Sequence, residues 1–330
     1  MRNILWLLVL LSALNGGLMG ERPGLTGPYL GQQPPGMTPE IFAPGIVSTG
    51  LDESTIAFTP DGRECYWTIH PNGFETILMS RLKDGAWTRP EVAPFCGEYL
   101  DGFPAIHPDG SRFFFHSYRP LAGSGTPAEH VNIWIMEREG DGWGTPRPIG
   151  PPINGRGNVT CPSVTRDGTL YFSGVMPDGS EKVMRSKYRD GVYLEPVPLP
   201  DNVNTTQYNF HACIAPDESY LVIPRLVPDE RLETWNYFVA FCKNGTWSDL
   251  IRLDNRVNFS RLAAVPSMSA DGRYLFFQAT QPATFHKKIE ARRTIAQWRE
   301  RMVSHPVNNG KDIYWVDAGI IEALRPENVN

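Results

Sequence analysis

The chain reads as an all-β protein, a β-propeller of five four-stranded antiparallel blades, and three features lead there. A short phrase recurs five times: an apolar run, a turn built on Asp, and a second, aromatic-rich run. It reads Ile56-Ala57-Phe58-Thr59-Pro60-Asp61-Gly62, then Pro104-Ala105-Ile106-His107-Pro108-Asp109-Gly110, Pro162-Ser163-Val164-Thr165-Arg166-Asp167-Gly168, Ala212-Cys213-Ile214-Ala215-Pro216-Asp217-Glu218 and Pro266-Ser267-Met268-Ser269-Ala270-Asp271-Gly272. The aspartates stand 48, 58, 50 and 54 residues apart, a period that belongs to stacked supersecondary units. Further strand-like segments follow each phrase, and helical periodicity is almost absent.

A four-stranded sheet cannot cover both of its own faces, so such units stack around an axis and each shields the next. In the first unit, 54–59 is expected as strand A, 64–69 as B, 76–82 as C and 87–93 as D. The Asp61-Gly62 pair supplies the left-handed backbone angles of a tight hairpin. After B come a variable loop, a C strand such as Asn132-Ile133-Trp134-Ile135-Met136, a Gly-containing turn and an aromatic opening D: Trp87, Trp143, Tyr193 and Trp247. These rings are expected between blades, where twisted sheets leave room for large side chains.

The fifth unit has A at 265–269, B at 274–279 and C at 312–316, but no D strand. Ahead of the first unit, Glu40-Ile41-Phe42-Ala43-Pro44-Gly45 echoes Glu91-Val92-Ala93-Pro94-Phe95, a D strand and its exit. The N-terminal strand is therefore expected to complete the last blade and close the ring, which removes exposed sheet edges. Six blades is the alternative if one degenerate repeat is hidden. After the last C strand, 320–324 reads as a short helix or tail.

A length of 330 residues at 41% hydrophobic content suits one large β domain over 41–330. The net charge of −5, without basic clusters in the repeats, argues against nucleic acid and anionic membrane as partners. Residues 1–20 have a basic start, an apolar centre and small residues at the end, the layout of a secretory signal. Residues 21–40, dense in Pro and Gly, read as a linker. The expected location is periplasmic or secreted, with no membrane span in the mature chain and a monomeric state. The odd set of cysteines (Cys65, Cys96, Cys161, Cys213, Cys242) has no close pair and no metal-ligand spacing. Cys161 and Cys213 are expected as small buried hydrophobes, with a bridge between them as the alternative.

Antiparallel pairing puts residues entering A and residues leaving B at one mouth of the channel, opposite the Asp turns. Ahead of A stand Asp52 and Glu53, Glu98 and Asp101, Asn158, Asn209 and His211, and Arg261. Glu53, Asp101 and Asn209 share the position eight residues before the repeat Asp and are expected to point alike toward the axis. Between B and C come His70, then His116, Arg119 and His130, then Asp178, then Arg225 and Arg231. A non-repetitive insertion follows in the last blade, where 284–303 reads as a basic helix with Ala291, Ile295, Trp298 and Met302 as one apolar stripe. It is expected on this rim, as a packed helix with a solvated basic face or as a lid.

Glu53 and Asp101, from adjacent blades, are the candidates for paired acid catalysis, a chemistry that needs carboxyls about 5 to 10 Å apart. Buried acids at such positions equally accept structural hydrogen bonds. No His pair has chelating spacing, so no metal site is expected. No phosphate loop or nucleophile elbow is present. No cofactor is implied, and a calcium ion in the channel is left open. Asn158, Asn204, Asn244 and Asn258 sit in glycosylation sequons.

Ser117-Tyr118-Arg119-Pro120, Asn132-Ile133-Trp134-Ile135-Met136-Glu137-Arg138, Gly142-Trp143-Gly144-Thr145-Pro146, Gly150-Pro151-Pro152-Ile153-Asn154 and Asp312-Ile313-Tyr314-Trp315-Val316-Asp317-Ala318 resemble the TolB-like, WD-related propeller repeat. The resemblance runs from about Ile41 to Pro326 and departs at Glu218, which replaces the turn Gly, at the loop after His116 and at the insertion. It implies an exported module that binds protein or ligand through the channel mouth, and it supplies no catalytic residue. The expectation is a scaffold for a protein, peptide or glycan ligand, bound by Glu53, Asp101, Arg119, Asn209, His211, Arg225 and Arg261. A carbohydrate-active hydrolase or lyase using Glu53 and Asp101 is the alternative.

Overall fold

A computed structural model describes residues 25–121, 125–155, 157–227, 234–260, 262–280, 294–297, 300 and 310–327. The expected signal peptide, Arg231, Arg261 and most of the 284–303 insertion lie outside the described residues. Within the insertion, Ile295 to Gln297 are helical and the Ile295 side chain is exposed.

Five antiparallel sheets follow one another as blades. Blade 1 uses Glu53–Phe58, Glu64–Ile69 and Thr76–Lys83 as strands A, B and C. Its outer strand comes in two pieces, Ala86–Trp87 and Glu91–Val92, both on strand C. Blades 2 and 4 repeat this break. In blades 1 and 2 it holds a proline, Pro90 and Pro146, which has no N–H to offer a ladder. Blade 5 consists of Ala264–Met268, Tyr274–Thr280 and Lys311–Asp317, and its fourth strand is Glu40–Ile41 from the other end of the chain. Glu40 pairs with Trp315 and Ile41 with Tyr314, and the Phe42 N–H donates to the Ile313 carbonyl at 2.8 Å. The ring closes as the sequence predicts, with five blades.

Hydrophobic clusters fill the gaps between blades. Tyr66, Ile77 and Met79 of blade 1 meet Phe113, Phe115 and Trp134 of blade 2; Ile133 and Ile135 meet Leu170 and Phe172; Tyr171 and Val183 meet Leu221 and Ile223; Val239 and Phe241 meet Leu275 and Phe277. Across the closure, Ile56, Phe58 and Trp67 meet Phe276 and Trp315, with Phe42 inserted among them. Trp87, Trp143, Tyr193 and Trp247 each join the cluster shared with the preceding blade, as expected of large rings.

The stretch read as a linker is packed from Leu25 onward. Tyr29 stands edge-on to Phe58 and Tyr274, Leu30 is buried, and the Trp87 indole N–H donates to the Gly27 carbonyl at 2.8 Å. Its apolar residues cover the closing seam, where burial outweighs the cost of ordering a Pro-rich segment. All five cysteines are free thiols. After the last strand, Gly319–Glu322 forms a short helix that buries Ile320 and Ile321.

At one mouth the five repeat aspartates do the same work. Each accepts the N–H two residues on: Arg63 to Asp61 at 3.0 Å, Ser111 to Asp109 at 2.8 Å, Thr169 to Asp167 at 3.0 Å, Ser219 to Asp217 at 3.1 Å and Arg273 to Asp271 at 3.0 Å. The left-handed angle belongs to the next residue alone, Gly62, Gly110, Gly168 and Gly272, and in blade 4 to Glu218 at φ 62°. Thus the aspartate acts by its side chain and not by its backbone, a correction to the Asp-Gly expectation.

Candidate functional site

The inner strands bring two successive residues of each blade to the axis at the mouth opposite the Asp turns. These positions hold Ser54 and Thr55, Gly102 and Phe103, Thr160 and Cys161, Phe210 and His211, and Ala264 and Val265. In four blades the second of the pair has a left-handed φ: Phe103 at 53°, Cys161 at 53°, His211 at 58° and Val265 at 37°. Blades 1, 2, 3 and 5 slip register there by a bulge, and a bulge re-aims a side chain. Phe103, Cys161 and Val265 from three blades consequently touch one another and plug the channel.

Gly102 leaves a gap in this ring, and a side chain from blade 1 fills it. A Cβ on Gly102 would stand 2.1 Å from Glu75 Oε1, so only glycine allows the carboxylate to reach the axis. Glu75 Oε2 lies 3.0 Å from His116 Nε2, and His116 Nδ1 in turn contacts the Thr160 hydroxyl. His70 Nε2 meets Ser54 Oγ at 2.7 Å. The Phe103 ring links the imidazoles, with centroids 4.5 Å from His116, 5.4 Å from His211 and 6.3 Å from His70. From His211 an aromatic path continues to Phe210 at 4.6 Å and on to Trp235 at 5.1 Å.

The electrostatics follow from partial burial. Burial, the largest single influence, raises Glu75, but the hydrogen-bonded His116 together with the two other imidazoles brings the carboxyl below its ordinary value. Burial pushes His211 down to about 3 and lowers His70 as well, leaving both rings neutral near pH 7. Glu75 Oε1 and His211 Nδ1 are buried and have no hydrogen-bond partner among the described residues. Glu181, half-buried at the start of the third strand of blade 3, adds a further carboxyl whose pKa burial raises. Lys311 lies on the His70 side, where its backbone N–H donates to Asp52 at 3.1 Å. No group of three or more His, Cys, Asp or Glu among the described residues is arranged to hold a metal ion.

The residues singled out from sequence divide in two. His211 and its neighbours His70 and His116 come together here. His130 is exposed and stands apart. Glu53, Asp101 and Asn209 do share one environment, but it is the buried entry to each inner strand and not the axis. Glu53 accepts from Thr49 Oγ1 and from the Leu51 N–H at 3.3 Å. Asp101 pairs with Arg119 at 3.1 Å, whose guanidinium also donates to the Phe95 carbonyl and lies over Phe115. Asn209 donates to the Glu181 carbonyl at 3.0 Å and accepts from Thr206. All three are fully buried. The two-residue offset from the expected axial position arises from the bulge. Arg225 is buried and donates to the carbonyls of Val203 and Pro224 and to Thr205, and burial lowers it to about 10. Glu75 and Gly102 escaped sequence reasoning. The one signal for Gly102 was a glycine inside a strand pattern, which marks close approach of another group.

No protein-family model matches the chain, and no curated protein matches it. Among solved structures it is similar to TolB from Acinetobacter baumannii, at 15% identity and a TM-score of 0.44 over 69% of this chain. The chain spans about half of that protein, 49% of its length. It is also similar to an alpha-L-arabinofuranosidase from Lactobacillus brevis, at 14% identity and 0.48, covering 82% of this chain and 91% of that one. The catalytic domain of a Coprinopsis cinerea alpha-L-arabinofuranosidase gives 12% identity and 0.45, covering 86% and 97%. Likeness at this level says nothing of a ligand, and what the mouth can bind follows from its own side chains.

Proposed function

We propose that this protein is an exported, monomeric binding module of the TolB-like, WD-related kind, which holds a protein, peptide or glycan ligand at the mouth opposite the Asp turns. The observation that carries this is the Glu75, His70, His116 and His211 cluster around Phe103, which gathers side chains from three blades at the axis. The cluster stands at a mouth rimmed by exposed Phe74 and Tyr208, and there Glu75 Oε1 and His211 Nδ1 are buried without a hydrogen-bond partner among the described residues. Concave polar sites on loops held by a rigid scaffold are where ligands bind. No helix among the described residues is long and apolar enough to cross a membrane, which accords with an exported chain.

The test is binding by the purified full chain to peptide and oligosaccharide arrays, comparing wild type with Glu75→Gln. Binding lost in the variant at unchanged melting temperature supports the mouth as the site; binding that persists places it elsewhere.

A carbohydrate-active hydrolase or lyase is the second proposal, and one observation favours it: burial pushes Glu53 up to about 7, where an acid is poised to give up a proton near neutral pH. Polysaccharide turnover that vanishes in Glu53→Gln and Asp101→Asn would establish it. Wild-type inertness toward polysaccharides that the chain binds would remove it.

A further inference from the structure

Among the open groups at the mouth, the Glu75 carboxylate at the axis narrows the ligand within the function just proposed, on which the narrowing rests. We propose that the mouth takes a primary ammonium group, presented by a lysine side chain or by the amino terminus of a peptide, with Glu75 as its counter-charge.

Hydrogen-bond accounting leads there first. Glu75 Oε1 is an acceptor without a donor among the described residues, and His211 Nδ1 beside it has no partner there either. Two of the hydroxyls close by are already engaged, Thr160 with His116 and Ser54 with His70, while those of Thr55 and Thr76 have no partner among the described residues. What is missing is a donor carrying several hydrogens, and an ammonium carries three.

Charge and shape agree. Glu75 is only 14% exposed at its side chain, and a poorly solvated carboxylate gains most from a cationic donor, through charge-assisted hydrogen bonds. Phe103 packs on His116, the partner of Glu75, and an aromatic path runs from it through His211 to Phe210 and Trp235; aromatic faces attract ammonium. Glu181 and Asp52 lie on the same mouth, so the acidic groups there outnumber the cationic Lys311 among the described residues. Gly102 fixes the geometry by leaving the space in which the carboxylate stands.

A sugar would fit less well. Its hydroxyls both donate and accept, and its charge is zero, so the carboxylate would gain no counter-charge beyond its contact with His116.

The experiment titrates the full-length protein with Nα-acetyl-lysine methylamide, its Nζ-acetyl counterpart, triglycine amide with a free amino terminus, and a neutral xylo-oligosaccharide. Trp235 fluorescence and calorimetry give the readout. Saturable binding of the lysine amide is expected, weakened about tenfold or more by Nζ-acetylation and by Glu75→Gln. The triglycine arm tells an amino terminus from a lysine side chain as the source. Absence of saturation by either amine up to about 10 mM overturns the ammonium assignment. If the oligosaccharide or the acetylated amide then binds in a Glu75-dependent way, the mouth remains a binding site for a different ligand. If nothing bound by the protein depends on Glu75, or on Gly102→Ala as a second disruption of the same site, the mouth itself falls.

Discussion

At the mouth with the Asp turns, all five blades make the same hydrogen bond from the same side chain, whereas at the opposite mouth no two blades place the same residues. Ser54, Gly102, Thr160, Phe210 and Ala264 occupy one structural position there, and Glu75 enters it from the end of the loop between strands B and C of blade 1. The difference teaches how to separate scaffold from site in a ring of repeats. A polar group that every blade repeats is satisfied by its own blade, as Asp61 is by Arg63. A polar group present once, and satisfied only by other blades, exists because of the assembled ring.

The same rule sorts a second set that the sequence hides. Asn154, Asn204 and Asn258 each clasp a strand-C residue 21 positions earlier, Ile133, Val183 and Tyr237, accepting its N–H and donating to its carbonyl. Ser48 does this for Ile313 across the closing seam. Two of these, Asn204 and Asn258, stand in glycosylation sequons, and their amides are already committed to the backbone.

The comparison breaks most severely at the seam. Phe42→Ala empties a fully buried site against Phe58, Phe276 and Trp315 and should cost about 3–5 kcal/mol, measured by urea unfolding. A smaller loss would mean that the closing strand is held by its backbone ladder alone.

Glu53 should show a pH signature that no repeat aspartate shows. Its folded pKa of about 7 lies above the ordinary 4.5, so its contribution is fully present below pH 4.5 and lost as pH rises through 7. A shift of that size corresponds to roughly 3 kcal/mol. The difference in unfolding free energy between wild type and Glu53→Gln, followed from pH 4 to 8, isolates it from His211, whose depressed pKa acts with the opposite sign by costing stability as pH falls. A flat difference would show that the buried carboxyl is no stranger to water.

Asn204→Ala should cost about 2 kcal/mol, since it orphans a buried N–H and two carbonyls. Gly102→Ala should cost about 1–3 kcal/mol through overpacking and should remove ligand binding at the opposite mouth, whereas Asn204→Ala should leave binding intact once the protein is folded. Glu218→Gly is expected to change stability least, by under about 1 kcal/mol: relief of the left-handed backbone favours the variant, and loss of the contacts with Tyr171 and Arg185 opposes it.

The blades were legible because each needs the same turn, the same alternation and the same interblade ring, so the pattern is written five times. The closing strand was legible from the echo between Glu40-Ile41 and Glu91-Val92. The axial site was not, for two reasons. The bulge shifts the axial position by two residues, from Glu53 and Asp101 to Thr55 and Phe103, and a bulge leaves no mark in composition. Glu75 also carries no motif, and it meets His116 only because blades 1 and 2 are neighbours and Gly102 has no side chain.

The amino-acid sequence alone determined the repeat, its Asp turns, the buried aromatics and the closing strand, with five blades against an alternative of six, because these depend on interactions within about one repeat or on an echo of one. Only the tertiary structure decided which polar groups are scaffold and which stand open. That outcome depends on the angle between blades and on which loops reach the axis, and no local stretch of chain encodes either.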